Sequence, residues 1–344
     1  MKQKVILFFV GVCCLGLQGQ EKSMRLSLDE AIAFAIENSY NTKASKNGIS
    51  SAKETVKETS ATGLPQLNAS FDYQNFLKQP VSLADFNDDG IDEQFVFGKK
   101  QNLSASVTLS QLIFDGSYLV ALQASKAYLK ISEQANEKTE ILTREAVVNA
   151  YGTVLVAEKS LDILAGNVNI LEKNLHDAQK IYENGFNEQE DVEQLEITLG
   201  TLKNQRNNLE RMKSIAYQML NLALGNPIST DLVLTDSLDT LTTSNIDLGL
   251  LSETFDFSNH IDFKIAANDR ESKRLLMQLE RSKALPSLSA FVNYGNQAFS
   301  DTFSFFNGDQ QWFDSSLLGV SLTVPIFSSF ARKSRTAQAR IALE

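Results

Sequence analysis

The chain has 344 residues, of which 43% are hydrophobic, enough for one large domain or two smaller ones. Its net charge is −10, and no basic stretch offers the footprint that nucleic-acid binding requires. Beyond the N-terminus, no segment is apolar over the ~20 positions that a transmembrane helix needs.

The N-terminus has the layout of a secretory signal peptide. Two lysines precede an apolar run over residues 5–17, and small and polar residues follow to Gly19. We therefore predict that residues 1–19 are a signal peptide, removed on export. Cys13 and Cys14 lie in this run, so the mature chain would have no disulfide, thiolate metal site or cysteine nucleophile. Lipid attachment at one of them is the alternative.

One helix is predicted over residues 28–61, with Ser27 as its capping residue. Two strands with period-two alternation follow, at residues 66–74 and 102–110. Their apolar side chains are Leu67, Phe71, Tyr73, Leu103, Val107 and Leu109. Their polar side chains are Asn68, Ser70, Asp72, Ser104, Ser106 and Thr108.

The loop between these strands has oxygen ligands at alternate positions. Asp85, Asn87, Asp89 and Asp92 follow the pattern of a calcium loop. The twelfth position, which should supply a bidentate carboxylate, is Val96. We favour an acidic surface loop that binds no metal, with a calcium site as the alternative.

Long helices occupy the middle of the chain. Residues 117–183 predict one helix of roughly 100 Å, which Asn184 and Gly185 end. Residues 191–224 predict another, with apolar steps of three and four that form a coiled-coil seam. Two helices of 34 residues, 28–61 and 191–224, would stack end to end beside the 67 residues of the long one.

Two motifs recur in the same order and indicate an internal duplication. L-P-x-L-x-A-x-x-x-Y occurs at 64–73 and 285–294, and LSQLIF at 109–114 corresponds to LTVPIF at 322–327. We predict a first repeat over 20–227, then a linker and second repeat over 228–344. The second repeat ends 17 residues after Phe327, so we expect it to be truncated after its second strand.

The second repeat carries two further strands, near residues 287–294 and 318–324. Their apolar side chains are Leu288, Val292, Tyr294, Leu318, Val320 and Leu322. Their polar side chains are Ser289, Asn293, Ser321 and Thr323. Phe291 interrupts the alternation of the third strand.

Such strands fit a soluble sheet or a membrane barrel whose apolar side faces lipid and whose polar side faces a wet lumen. Export, the long helices and aromatic residues near the predicted strand ends favour the barrel; these residues are Tyr73, Tyr294, Trp312 and Phe313. Four strands cannot close a barrel, and open edges in lipid would leave backbone groups unpaired. Other copies of the chain must supply the missing strands.

Several motifs, in order, resemble the TolC-like outer-membrane efflux protein family. They are LSLDEAI at 26–32, the two LPxL strand starts, LIFDG at 112–116, YENG at 182–185 with 191–192, and LNLALG at 220–225. The resemblance covers essentially the whole mature chain. It implies a mixed fold in which a homotrimer forms a twelve-stranded membrane β-barrel, continued by a periplasmic α-barrel of long antiparallel coiled-coil helices.

The resemblance also implies a passive exit duct in the outer membrane, for a tripartite efflux pump or one-step secretion. Its partners would be outer-membrane lipid, a periplasmic adaptor and, through that adaptor, an inner-membrane pump; no cofactor is implied. The adaptor-docking residues would be Tyr182, Asn184, Gly185 and Phe186, of which only the glycine matches the family pattern. A soluble periplasmic adaptor is the alternative function. An exported enzyme would need a catalytic constellation, and none is visible.

Overall fold

The computed structural model describes residues 24–84, 93–186, 188–244 and 256–344. Its helices and strands are β1 (Met24–Leu26), α1 (Leu28–Asn38), α2 (Tyr40–Ala61), β2 (Gln66–Asn75), β3 (Val81–Ala84), β4 (Glu93–Val96), β5 (Gln101–Asp115), α3 (Gly116–Glu183), α4 (Gln189–Leu224), β6 (Leu232–Leu234), α5 (Leu238–Ser244), α6 (Ile261–Ser282), β7 (Ser287–Ser300), β8 (Trp312–Thr323) and α7 (Ala331–Leu343). They form two compact units, and both α2 and α3 contribute residues to each.

The first unit contains the described residues of 24–46 and 137–244. Its apolar core joins α1, α3, α4 and the parallel pair β1–β6. The fully buried members of this core are Ala31, Ala35, Val147, Tyr151, Val154, Leu220 and Leu224. Ser27 and Glu30 form a capping box at the start of α1, which satisfies backbone N–H groups that the first turn leaves free.

The helix predicted over 28–61 is in fact two helices, so that prediction was wrong at Ser39. Ser39 has an extended ψ of 147°, and its hydroxyl shares a 2.8 Å hydrogen bond with Thr42. Gly225, which follows α4, lies against the backbone at this break. The break therefore coincides with a close approach between two chain segments that are distant in sequence.

The second unit contains residues 47–136 and 256–344, apart from those not described. It holds a four-stranded antiparallel sheet, the separate hairpin β3–β4 and the packed helices α6 and α7. A buried polar pair links α3 to α6: the Asn268 amide donates to Gln134 Oε1 at 3.0 Å, and the Gln134 amide donates to the Lys264 carbonyl at 3.2 Å.

The strand boundaries differ from the sequence prediction. β5 continues to Asp115, β7 continues to Ser300, and β8 begins at Trp312. Tyr294 is therefore in the middle of its strand, and its predicted place near a strand end was wrong. The final helix begins at Ala331, directly after Ser329 and Phe330, which both have positive φ.

Candidate functional site

The four-stranded sheet has the order β2-β5-β7-β8, and every neighbouring pair is antiparallel. Strands from both halves of the sequence thus form one surface, joined where β5 pairs with β7. Residues directly opposite each other in such pairs point to the same side of the sheet. The register therefore shows which residues share each face.

One side, here called the apolar face, carries the residues predicted to face lipid. Leu67, Leu109, Val292 and Leu318 form one row across all four strands. The remaining members are Phe71, Tyr73, Leu103, Val107, Leu288, Tyr294, Val320 and Leu322. Leu67, Phe71, Leu318, Val320 and Leu322 are 62–78% exposed, so this chain buries none of them in a core of its own. A continuous apolar surface of this kind marks contact with a partner or with lipid.

The other side, here called the polar face, carries the residues predicted to face a lumen. They are Asn68, Ser70, Asp72, Ser104, Ser106, Thr108, Ser289, Asn293, Ser321 and Thr323. Three cross-strand hydrogen bonds connect side chains here: Ser70 with Ser106 at 2.9 Å, Asn293 to Thr108 at 2.7 Å, and Gln297 to Asn102 at 2.9 Å. The register fixes the two faces; the surroundings of each face stay a prediction.

Each face also has exceptions, of which the sequence analysis identified only Phe291. Asn296 and Asp314 lie on the apolar face. Asn296 is opposite Ala105 of β5, and Asp314 of β8 is opposite Asn296. Leu112, Phe291, Leu317 and Phe313 lie on the polar face. The sequence does indicate the exception at Leu317. Adjacent residues of a strand point to opposite sides of the sheet, so one of the neighbours Leu317 and Leu318 must lie on the polar face.

The outer strands of the sheet, β2 and β8, each have only one neighbour. The backbone donors and acceptors along their outer edges thus have no strand partner within the described sheet. Such edges are templates for pairing with another chain.

Aromatic side chains cluster where β7 leads to β8. Tyr73 of the apolar face lies 5.7 Å from Phe303 and 6.0 Å from Phe305, between ring centroids, and Phe305 is buried. Lys99 pairs with Asp301 at 2.7 Å, and this hydrogen bond lowers the pKa of the Asp301 carboxyl. Sequence reasoning missed this cluster, although the run FSFF at 303–306 signals it.

The turn between α3 and α4 forms the hairpin end. The Phe186 N–H donates to the Ile181 carbonyl at 3.1 Å and the Gly185 N–H to the Tyr182 carbonyl at 2.8 Å. With Gly185 at φ +79°, this is a Schellman motif. Phe186 is 84% exposed. The predicted docking residues Tyr182, Asn184, Gly185 and Phe186 are therefore neighbours in one turn.

Some predictions fall outside the described residues. These are the signal peptide at 1–19 and the calcium alternative Asp85, Asn87, Asp89 and Asp92. Within residues 24–84, 93–186, 188–244 and 256–344, no three His, Cys, Asp or Glu side chains are grouped so that they could hold a metal ion. No helix in that part of the chain is both long and apolar enough to span a membrane.

The fold is that of outer-membrane channel proteins of known structure. VceC of Vibrio cholerae aligns with a TM-score of 0.64 and 13% identity over 92% of this chain and 72% of its own. MtrE of Neisseria gonorrhoeae aligns with a TM-score of 0.64 and 17% identity over 92% of this chain and 67% of its own. CmeC of Campylobacter jejuni aligns with a TM-score of 0.63 and 17% identity over 92% of this chain and 65% of its own. No curated protein sequence gives a match.

The family model of the outer membrane efflux proteins matches residues 31–226, which is more than half of the chain. The chain therefore belongs to the outer membrane efflux protein family. This family includes TolC-like proteins, so the resemblance drawn from the sequence motifs is confirmed.

Proposed function

We propose that this chain is one subunit of an outer-membrane channel, the passive exit duct of a tripartite efflux pump or a one-step secretion system. The observation that carries the proposal is the two-faced sheet. An exposed apolar face lies opposite a hydrogen-bonded polar face, as a barrel between lipid and a water-filled lumen requires. Export by the predicted signal peptide would bring the chain to this membrane.

The open edges of β2 and β8 support assembly from several copies. In hydrocarbon each unpaired backbone group costs several kcal/mol, so the ring must close by pairing β2 of one copy with β8 of another. Three copies with four strands each give the twelve-stranded homotrimer that the family resemblance implies. The long helices would extend this barrel into the periplasm as a helical tunnel.

Adjacent leucines on opposite faces give the decisive test. Leu318 is on the apolar face and Leu317 on the polar face, and both are exposed. Arginine facing lipid costs about 2–4 kcal/mol at mid-membrane, whereas arginine in a wet lumen is tolerated. We expect L318R to prevent assembly of heat-modifiable oligomers in the outer-membrane fraction and L317R to preserve it.

A soluble protein would tolerate both substitutions alike, because both side chains are exposed in the isolated chain. Recovery of the wild-type protein as a water-soluble monomer, or equal behaviour of L317R and L318R, would contradict the channel. That result would favour a soluble adaptor, the alternative that family membership does not favour.

The hairpin end is our proposed docking site for a periplasmic adaptor and, through it, an inner-membrane pump. Phe186 presents an exposed aromatic ring there, of the kind that anchors protein interfaces. We expect F186A to reduce export in cells while leaving the conductance of the purified channel in planar bilayers unchanged. Loss of conductance, or undiminished export, would rule out this role for the ring.

A further inference from the structure

Exposed apolar side chains continue beyond the end of β8, in the connection to α7 over residues 324–330. Four of them are 53–88% exposed: Val324, Ile326, Phe327 and Phe330. Val324 and Ile326 keep the two-residue spacing of Val320 and Leu322, which belong to the apolar face. The exposed apolar surface of the sheet therefore extends along the chain to the start of α7.

One arginine side chain holds this connection in shape. Arg332 Nε donates to Ser328 Oγ at 3.0 Å. Its Nη1 donates to the Pro325 carbonyl at 2.9 Å, and its Nη2 donates to the Ile326 carbonyl at 3.2 Å. The guanidinium is thus occupied within its own chain, where its planar fork of donors fixes the backbone beside the exposed side chains.

Two aromatic rings are displayed together by this connection. The rings of Phe327 and Phe330 lie edge to face, with centroids 5.9 Å apart and an interplanar angle of 82°. Ser329 and Phe330 have φ of +48° and +65°, a left-handed conformation that costs free energy for residues with side chains. Backbone outliers of this kind cluster at sites that contact ligands, so the aromatic pair is a candidate contact surface.

The first turns of α7 carry cations and no acid, in a chain whose net charge is −10. Lys333, Arg335 and Arg340 are exposed, and none of the described residues forms an ion pair with them. A cation near the N-terminus of a helix opposes the helix dipole, so the stability of α7 does not account for Lys333. These charges are available to an anionic partner.

We propose that residues 324–335 bind an anionic phospholipid in the periplasmic leaflet of the outer membrane. The acyl chains would contact Ile326 and the two aromatic rings, and Lys333 and Arg335 would hold the headgroup phosphate. The inference rests on the proposed channel function, because that function places the apolar face in hydrocarbon and α7 in the periplasm. An anionic phospholipid combines in one molecule the two chemistries that this surface offers, hydrocarbon and negative charge.

Distance along α7 separates the two binding cations from Arg340. A helix rises 1.5 Å per residue, so Lys333 and Arg335 start about 5–8 Å from Phe330, whereas Arg340 starts about 15 Å away. Side chains on a helix lean toward its N-terminus, which brings the first two cations closer to the apolar connection. Arg340 is therefore a matched control: an exposed cation of the same helix, too far along it to share the headgroup.

A second copy of the chain is the competing occupant of this surface. Its acidic residues would pair with Lys333 and Arg335, and its apolar side chains would cover the aromatic rings. The two occupants differ in what touches Phe327, which is lipid hydrocarbon in one case and protein in the other. The continuity of the connection with the apolar face favours the lipid, because a membrane that covers the face also reaches its end.

The test is quenching of tryptophan fluorescence by brominated lipids in reconstituted vesicles. Phe327→Trp in a Trp312→Phe background places a single tryptophan at the connection, since Trp312 is the only native one. We expect brominated phosphatidylglycerol to quench F327W at a lower mole fraction than brominated phosphatidylcholine does. K333Q/R335Q should reduce this preference roughly fivefold per cation, the factor that each lysine or arginine contributes at an anionic membrane surface. R340Q should preserve it.

Equal quenching of F327W by the two lipids would overturn the inference, and so would equal preferences in K333Q/R335Q and R340Q. Protection of F327W from both lipids would show that another copy covers the connection, which overturns it as well. Should F327W not assemble, V324W serves as the reporter at the same surface.

Native Trp312 tests the proposed function separately, because it lies on the apolar face at the other end of β8. If both lipids quench Trp312, a failure at the connection counts against the phospholipid site alone. If neither lipid quenches Trp312, the apolar face lies outside hydrocarbon, and the channel is contradicted together with this inference.

Discussion

Tyr151 shows how one hydroxyl can connect three segments of the first unit. The side chain is fully buried, and its O–H lies 3.1 Å from both the Leu26 carbonyl and Asp236 Oδ2. Asp236 also accepts the Leu28 N–H at 2.7 Å. Through this cluster, α3 holds the start of α1 and the segment after β6 in fixed positions.

Replacing Tyr151 by phenylalanine keeps the ring packed and removes only these hydrogen bonds. We expect Y151F to lower the free energy of unfolding by about 1–2 kcal/mol, because the Leu26 carbonyl and the Asp236 carboxylate lose the one O–H donor that they share. Thermal unfolding in detergent, followed by helical circular dichroism, should show a lower midpoint. An unchanged midpoint would mean that water replaces the lost hydroxyl.

The same residue makes a prediction about pH. Burial raises the pKa of the Tyr151 hydroxyl from 10.0 to about 12; the Asp236 carboxylate adds to the rise, and backbone hydrogen bonds from Asp236 and Thr235 oppose it. The unfolded tyrosine thus ionises first as pH increases, so its stabilising contribution is complete below pH 10 and is lost as the pH approaches 12.

We therefore expect the difference in unfolding midpoint between wild type and Y151F to shrink from pH 10 to pH 12. Burial also raises the pKa of Tyr217, with a hydrogen bond to Glu158 adding to the effect; that residue is present in both proteins, and Tyr151 is only a smaller cause of its shift. A difference that stayed constant over this range would contradict the assigned burial.

Nothing in the local sequence reveals this role of Tyr151. Helical periodicity places it in a long helix, but its partners, Leu26 and Asp236, are 125 and 85 residues away. The faces of the strands were predictable because period-two alternation is local. The contact of the Phe291 ring with Gly319 was not, because these residues lie opposite each other only in the register of β7 with β8.

At the level of elements, Gly225 joins the end of α4 to the break between α1 and α2. Its φ is +81°, and a Cβ atom would lie 2.6 Å from the Asn38 carbonyl oxygen and 2.8 Å from Ser39 Cα. These contacts are with backbone, so no side-chain rotation can relieve them. Gly185, at the hairpin end, has a similar φ of +79°, but none of the described neighbouring residues comes within 4 Å of such a Cβ.

Comparing these two glycines separates the free-energy cost of the left-handed backbone conformation, which both have, from the cost of the backbone clash, which only Gly225 has. We expect G185A to cost about 1–2 kcal/mol, the penalty of the left-handed conformation alone. G225A should cost about 1–3 kcal/mol more, because the backbone of the α1–α2 break must move. The measurement is the thermal unfolding midpoint of both variants in one detergent. Equal decreases in midpoint would show that the backbone at the α1–α2 break moves without a measurable cost.

The break at Ser39 and the length of β7 were beyond sequence reasoning for the same physical reason. Residues 28–61 contain no proline, and the extended ψ of Ser39 is accompanied by contact with Gly225, 186 positions away. After Tyr294 the alternation of β7 gives way to Gly295 and Asn296, yet the strand continues to Ser300 because β5 pairs with it. Long-range backbone pairing overrides local pattern in both elements.

For the whole molecule, the open edges of the sheet predict how copies meet. β2 and β8 are separated by β5 and β7, so within one chain their backbones are roughly 14 Å apart. A disulfide needs Cα atoms within about 7 Å. A cysteine on β2 can therefore form a disulfide with one on β8 only if the second belongs to another copy.

We expect such a cross-link in a background with Cys13 and Cys14 replaced by alanine. Ser70→Cys on β2 is combined in turn with a cysteine at one of three β8 positions on the same polar face: Ser315, Leu317 or Ser321. Mild oxidation of membranes should give covalent dimers and trimers for at least one pairing, because β2 of one copy and β8 of the next would be hydrogen-bonded neighbours.

The matched control links neighbouring strands of one chain. Ser70 and Ser106 lie opposite each other, with their hydroxyls 2.9 Å apart, so S70C/S106C should close a disulfide within a single copy and give no larger species. If this control oxidises while every β2–β8 combination stays monomeric, the sheet does not close through its free edges. A ring of identical copies would then be excluded, and with it the proposed barrel.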